Sequence, residues 1–311
     1  VIITFSVPDP LPIWIIPIPW GLSRWRPGSA PGVPRAEQGP STGSGRTENG
    51  AKHQNCASGR LPVTLSDEEL NRYARHIVLR EVGGSGQMRL KAAPVAIVGA
   101  GGIGSPAIQY LAAAGVGRLI VIDDDTVDLS NLQRQTLFGD ADVGAGKVAA
   151  AALAAHRINP HVVIDQRPER LTPDNAARLL GGADVVIDGT DSFTTRLAVA
   201  DAAHALRIPL VSSAVGQFEG QLGVFRGWEA DKPCYRCFVG NVADQAGDSC
   251  AEQGVLGAMT GVMGSLAALE AMRSVVGFGE DSAGKLLLID ALAFRFRTIV
   301  LPKDPGCGGC S

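Results

Sequence analysis

Two groups of residues in this chain are spaced for chemistry. Gly99, Gly101 and Gly104 form a G-x-G-x-x-G run inside "VAIVGAGGIGSPAIQYLAAAGVGRLIVIDDD", directly after an apolar run and directly before a helical pattern. Glycines there let the backbone approach a phosphate, and the start of a helix offers free N–H groups and a partial positive charge. Asp123 lies nineteen residues beyond Gly104, at the end of the next apolar run. A carboxylate in that place accepts hydrogen bonds from ribose hydroxyls. The second group is Cys234 and Cys237 in "PCYRC" with Cys307 and Cys310 in "PGCGGC". Two C-x-x-C pairs can set four thiolates around one tetrahedral zinc. The 69-residue gap between Cys237 and Cys307 exceeds the usual zinc-finger spacing, so disulfide and redox readings of the same residues stay open.

The glycine turn alone fits NAD and ATP equally. The residues beyond Asp123 decide between them. "DDDTVDLSNLQRQTLF" and "DVGAGKVAAA" set Asn131, Gln133, Arg134 and Lys147 just past the ribose acid. A nicotinamide site has little use for cations there without a 2′-phosphate, which Asp123 would repel. Attack by a carboxylate on an α-phosphate brings two anions together, and fixed cations with a metal ion offset the repulsion. "DGTDSFTTR" adds Asp191, a carboxylate suited to Mg²⁺ beside the phosphates. ATP is therefore the expected nucleotide. Lys147 opens a helical pattern, where the helix dipole disfavours a cation, and this favours a functional role for it. Arg196, in the same stretch as Asp191, reads as structural. Arg75 and His76 in "RYARH" would by themselves be an ordinary solvated helix face.

The elements that must hold these residues are strands alternating with helices. Strands are expected at 94–98 and 118–123, with further apolar runs at 162–165, 184–188 and 209–213; helical patterns cover about 105–114, 145–158, 172–180 and 195–206. This alternation predicts an α/β, Rossmann-like fold: a mainly parallel sheet with helices on both faces. After Ser213, "QFEGQLGVFRG", "GKLLLID" and "FRFRTIVL" read as antiparallel C-terminal additions. Ser66 and Glu69 form a capping box, and Leu70, Tyr73, Ala74 and Ile77 fall on one face of the helix it starts. The uncharged, Gly- and Ser-containing run from Gln253 to Leu269 is shorter than the ~20 residues a bilayer needs. It predicts a helix buried against other elements.

Composition narrows the function classes. A net charge of −3 over 311 residues argues against a general nucleic-acid binder. Six cysteines confined to a few clusters do not suit a disulfide-stapled secreted domain. Residues 1–60 differ in kind: rich in Pro, Gly and Ser, without a period, they carry six Lys/Arg against three Asp/Glu. They predict a disordered extension, with a partner-binding tail anchored by Trp14, Trp20 and Trp25 as the alternative. The first twenty residues hold five prolines and no basic start, which suits neither a signal peptide nor a membrane helix. A cytoplasmic protein is expected.

The series "RYARHIVL", "VGAGGIGSPAIQYLAAAGVGRL", "DDDTVDLSNLQRQTLF", "VGAGKVAAA" and "TDSFTTR" resembles the motifs of the MoeB/ThiF/HesA branch of the ubiquitin-activating-enzyme-like adenylyltransferases, MoeB-like members most of all. The likeness covers about residues 61–310, so 61–311 is expected to be one ATP-dependent adenylyltransferase domain. The resemblance implies that Gly99, Gly101, Gly102, Gly104, Asp123, Asp125, Asn131, Gln133, Arg134, Lys147, Asp191 and Ser192 form the nucleotide site. Asp123 would hold the ribose, Asn131, Arg134 and Lys147 the phosphates, and Asp191 the magnesium. Arg75 would be an arginine finger reaching the partner's site in a homodimer. Cys234, Cys237, Cys307 and Cys310 would bind a structural zinc that pins the C-terminus, a contribution on the order of 10 kcal/mol. Cys250, in "DSCAEQGVLG", matches a family cysteine that links covalently to the carrier in some members and is dispensable in others; an unpaired loop cysteine is otherwise inert.

The implied reaction is adenylylation, by Mg·ATP, of the C-terminal glycine carboxylate of a ubiquitin-like sulfur carrier ending in Gly-Gly, with release of pyrophosphate, for molybdenum-cofactor biosynthesis. The carrier tail would need a narrow channel walled in part by the strands after Ser213. No rhodanese pattern follows "CGGCS", so sulfur is expected from a separate persulfide donor. The same chemistry on a thiazole- or cysteine-synthesis carrier, a tRNA threonylcarbamoyl-adenosine dehydratase, and a non-catalytic nucleotide-binding module are the alternatives.

Overall fold

A computed structural model describes residues 64–240 and 254–310; the expectations for residues 1–60 and for Cys250 lie outside the described residues. Five strands run parallel: β1 (Pro94–Val98), β2 (Arg118–Ile122), β3 (Val163–Arg167), β4 (Val185–Asp188) and β5 (Leu210–Val215). Three more, β6 (Glu219–Phe225), β7 (Lys285–Asp290) and β8 (Arg295–Val300), extend the sheet antiparallel. The order is β3-β2-β1-β4-β5-β6-β7-β8. From β1 the chain builds outward through β2 to β3, then returns to add β4 on the other side of β1. That reversal opens a crevice at the C-terminal ends of β1 and β4, the place where open α/β sheets bind ligands.

Every residue of β1 is buried, as expected of a strand covered on both faces. Its side chains alternate between two cores. Val95 and Ile97 join Ile108, Leu111, Leu119 and Val121 in one. Ala96 and Val98 join Ile120, Ile122, Leu179 and Val199 in the other. The first core is covered by α3 (Gly83–Ala92), α4 (Gly104–Ala113), α5 (Lys147–Ile158) and α9 (Gly257–Val276); the second by α6 (Ala176–Leu180), α7 (Phe193–Ala205) and α8 (Tyr235–Val239). The expected apolar helix runs seven residues beyond Leu269, ending at Val276, and buries Met259, Met263, Ala267, Ala268 and Ala271. Among the described residues no helix is long and apolar enough to cross a membrane.

Two elements differ from the sequence expectation. The capping box forms, with Ser66 Oγ accepting from the Glu69 N–H at 3.2 Å and Glu69 Oε2 accepting from the Ser66 N–H at 2.8 Å. The single helical face does not form, because the chain breaks at Tyr73 into α1 (Asp67–Arg72) and α2 (Ala74–Ile77). Tyr73 turns inward, and its hydroxyl accepts from Asn159 Nδ2 at 2.7 Å. Leu70 is left 44% exposed. The helix expected over 172–180 starts only at Ala176. Asn175 Oδ1 accepts from the Thr172 N–H at 2.8 Å, so residues 172–175 close a turn of their own first.

Candidate nucleotide and metal sites

The glycine run leaves β1 at Gly99, whose φ of 87° suits glycine alone. A Cβ on Gly104 would stand 1.9 Å from the Gly99 carbonyl oxygen, so α4 can fold this closely onto the loop only with glycine there. The loop and the C-terminal ends of the neighbouring strands bound a cavity of about 440 Å³. Of the expected site residues, Gly99, Gly101, Gly102, Asp123, Asp125, Asn131, Arg134, Lys147, Asp191 and Ser192 line it.

Asp123 faces the loop as well as the cavity. Its Oδ2 accepts from the Ala100 N–H at 2.7 Å and its Oδ1 from the Asp125 N–H at 2.9 Å. Burial pushes its carboxyl above the usual range, while the Lys147 charge and the two N–H donors pull it back. Lys147 Nζ lies 2.8 Å from Asp125 Oδ2. Arg134 donates to the Ser130 carbonyl at 3.0 Å, and its own carbonyl accepts from Thr260 Oγ1 at 3.2 Å, which ties the "SNLQRQ" turn to α9. Across the crevice, Asp191 is exposed in the loop after β4, and Ser192 caps α7 through the Thr195 N–H at 3.3 Å.

The cavity does not gather all the expected residues. Gln133 is exposed and lies against Gly257 at the start of α9, outside the cavity lining. Gly104 sits beneath the loop rather than in the lining. Arg75 is exposed on α2 and does not line its own chain's cavity. Cys250 lies outside the described residues. The sequence reading missed Gln135, two positions beyond Gln133. It lines the cavity at 3% exposure, and its Oε1 has no hydrogen-bond partner among the described residues. Arg196, expected to be structural, is 3% exposed and also lines the cavity. A polar residue at an apolar helical position was the available signal for Arg196; Gln135 had none.

The four expected thiols converge elsewhere. Cys234 immediately precedes α8, and its sulfur lies 3.7 Å from Cys237 and 3.6 Å from Cys307; Cys237 and Cys310 are 3.4 Å apart. All four sulfurs lie within 4.8 Å of one another. A tetrahedral ion with sulfurs at about 2.3 Å needs S···S edges of about 3.8 Å, so this set could hold one such ion. Burial pushes the Cys234 thiol well up, and a bound cation would reverse that preference by stabilising the thiolate.

A family model described as the ThiF family matches residues 73–309. A sulfur carrier protein adenylyltransferase of Thermus thermophilus is 46% identical over 247 residues, covering 78% of this chain and 91% of that protein. A molybdopterin-synthase adenylyltransferase of Escherichia coli is 44% identical over 246 residues, covering 79% and 98%. Among solved structures, MccB of E. coli superposes with a TM-score of 0.68 at 22% identity, over 78% of this chain and 72% of that one.

Proposed function

The chain belongs to the ThiF family, and we propose that its cavity adenylylates the C-terminal glycine carboxylate of a ubiquitin-like sulfur-carrier protein. The enzyme class is adenylyltransferase. A carboxylate oxygen of the carrier bonds to the α-phosphorus of ATP, the bond from that phosphorus to the bridging oxygen breaks, and pyrophosphate leaves. The product is a carrier acyl-adenylate, reactive toward a later sulfur nucleophile.

One observation carries this reading above dinucleotide binding: Arg134 and Lys147 line the same cavity as the glycine loop and Asp123. Two cations there have a task if a triphosphate lies over the loop, with the ribose at Asp123 and the phosphates at Asn131, Arg134 and Lys147. The hard oxygen of Asp191 suits Mg²⁺, which would offset charge on the phosphates when bound. Soft thiolates suit zinc, and Cys234, Cys237, Cys307 and Cys310 would hold it with no position left open, as a structural ion.

Arg75 would serve the cavity of a second subunit in a homodimer. The carrier would end in Gly-Gly and serve molybdenum-cofactor synthesis, with sulfur delivered by a separate persulfide donor. The E. coli relative's name supports that pathway, while the Thermus name leaves the carrier general. The reaction would take place in the cytoplasm.

The test is exchange of labelled pyrophosphate into ATP. Exchange should require a carrier with an intact Gly-Gly end and vanish in Asp191→Ala. No exchange with molybdopterin, thiazole or cysteine carriers would overturn the reading, and exchange with only one of the latter two would change the pathway.

A further inference from the structure

We propose that Arg196 is a positioning residue for Asp191, acting through the peptide that joins Thr190 to Asp191. The inference rests on the reading of Asp191 as the cation's ligand. Arg196 and Asp188 are 3% and 1% exposed and face each other at 3.4 Å. A buried ion pair seldom adds net stability over apolar residues of the same volume, so stability alone does not account for it. The guanidinium has a further task. One Nη donates to Ser212 Oγ at 3.4 Å besides Asp188; the other donates to the carbonyls of Thr190 and, at 3.0 Å, of Ser213.

Thr190 is held from the opposite side too. Asp188 Oδ1 accepts from its N–H at 3.1 Å and from its hydroxyl at 2.7 Å. With the N–H side held by Asp188 and the C=O side held by Arg196, both peptide planes around Thr190 are set, and with them the direction in which Asp191 leaves the backbone. The reference point is the sheet itself, because Ser213 lies in β5 and is 0% exposed. Arg196 stands on the first turns of α7, where its N–H bonds back to the Ser192 carbonyl at 3.0 Å. Strand end, loop and helix start are thus joined through one side chain. Lysine cannot replace it: an ammonium keeps the charge but lacks the planar fork that serves two carbonyls and a carboxylate together.

The experiment is calorimetric titration with ATP alone, with and without Mg²⁺, so that no carrier and no turnover are involved. In the parent protein magnesium should tighten ATP binding, and Asp191→Asn should remove that gain. Arg196→Lys should cut the gain about 10–100-fold, the range seen when a group supporting a metal ligand is changed, and should weaken metal-free ATP, whose cavity Arg196 also lines, by less. In the Asp191→Asn background, Arg196→Lys should leave the ratio of the two affinities unchanged.

Equal weakening of both titrations, an unchanged magnesium gain, or a changed ratio in the Asp191→Asn background would overturn the role of Arg196 alone. A magnesium gain that survives Asp191→Asn would remove the reading of Asp191 and this inference with it. If Arg196→Lys does not fold, the uncharged pair Asp188→Asn/Arg196→Met carries the same test. It leaves no buried charge unpaired and keeps an acceptor for Thr190.

Discussion

Lys147 Nζ sits 2.8 Å from Asp125 Oδ2 in an uneven pair: the lysine side chain is 7% exposed and the aspartate 57%. The cation is fixed and largely stripped of water, while its counter-ion stands at the cavity mouth. Lys147 is also the first residue of α5, where the helix dipole works against a positive charge. An arriving phosphate therefore meets an ammonium already desolvated, and Asp125 can turn to solvent at little cost.

Lys147→Ala should accordingly lower pyrophosphate exchange by about 10²–10³-fold, the range seen when one fixed donor to a transition-state anion is removed. Thermal stability should fall as well, because the buried Asp123 carboxylate loses the Lys147 charge that favours its ionised form, although Asp125 is mostly exposed. A loss of less than tenfold would show that Lys147 is an ordinary ion-pair residue.

The N-terminal helix predicts an acid-side loss of stability. Burial works to raise the Glu69 carboxyl, but Lys91 at 2.6 Å and the Ser66 capping bonds hold it below the usual range. A depressed folded pKa means that this stability is complete above the unfolded value near 4.5 and is lost as pH falls through the folded one. Glu69→Gln keeps the capping geometry and loses the ion pair. It should cost about 1 kcal/mol at pH 7, and denaturant melts between about pH 5 and 3 should slope less steeply than in the parent. Parallel slopes would assign the acid transition to other carboxylates.

Metal analysis should find one zinc per chain, and Cys234→Ser with Cys307→Ser should abolish it. Among the described residues the C-terminal segment is also held by Lys303, whose Nζ donates to the Gly227 and Glu229 carbonyls at 2.8 and 3.0 Å. The melting temperature should fall by about 2–4 °C for each kcal/mol lost, several kcal/mol in all. A chelator should reproduce the loss and a reductant should not. The opposite pattern would mean that the thiols pair as disulfides.

What the sequence made legible obeys a physical division. The glycine loop, Asp123, Arg134, Lys147 and the cysteine pairs were readable because each is a residue type fixed by its own chemistry at a fixed offset. The positions of β1, β4 and β5 were readable from continuous apolar runs, since a strand buried on both faces needs nothing else; β3, partly exposed and ending in Asp-Gln-Arg, runs two residues past its apolar stretch. Gln135 was not readable. It lies in an irregular segment after a short turn at Leu129–Asn131, where no period says which of two nearby glutamines points inward. Arg196 reads as structural in the sequence, but which groups it serves was not legible, because backbone acceptors such as the Thr190 and Ser213 carbonyls leave no mark there. The break at Tyr73 was hidden for a related reason: its partner, Asn159, is 86 residues away.

That break bears on Arg75. Tyr73 is 3% exposed, and its ring packs so closely on Gly115 that a Cβ there would come within 2.4 Å of it. His76 Nδ1 lies 3.1 Å from Gln87 Oε1, and Gln87 Nε2 donates to the Ala114 carbonyl at 2.8 Å. The four residues of α2 are thus anchored at both flanks of Arg75, which is itself exposed and outside its own cavity. A cation carried at the surface on an anchored stretch of backbone suits a role across an interface. Arg75→Ala and Lys147→Ala chains, co-expressed with different tags, should then complement each other. Each is inactive alone, but a mixed dimer joins one intact Arg75 to one intact Lys147 in one of its two sites. With random pairing, half the dimers are mixed, so about a quarter of parent activity should return. Mixed dimers purified through both tags should reach about half. If they stay inactive, Arg75 does not act across the interface.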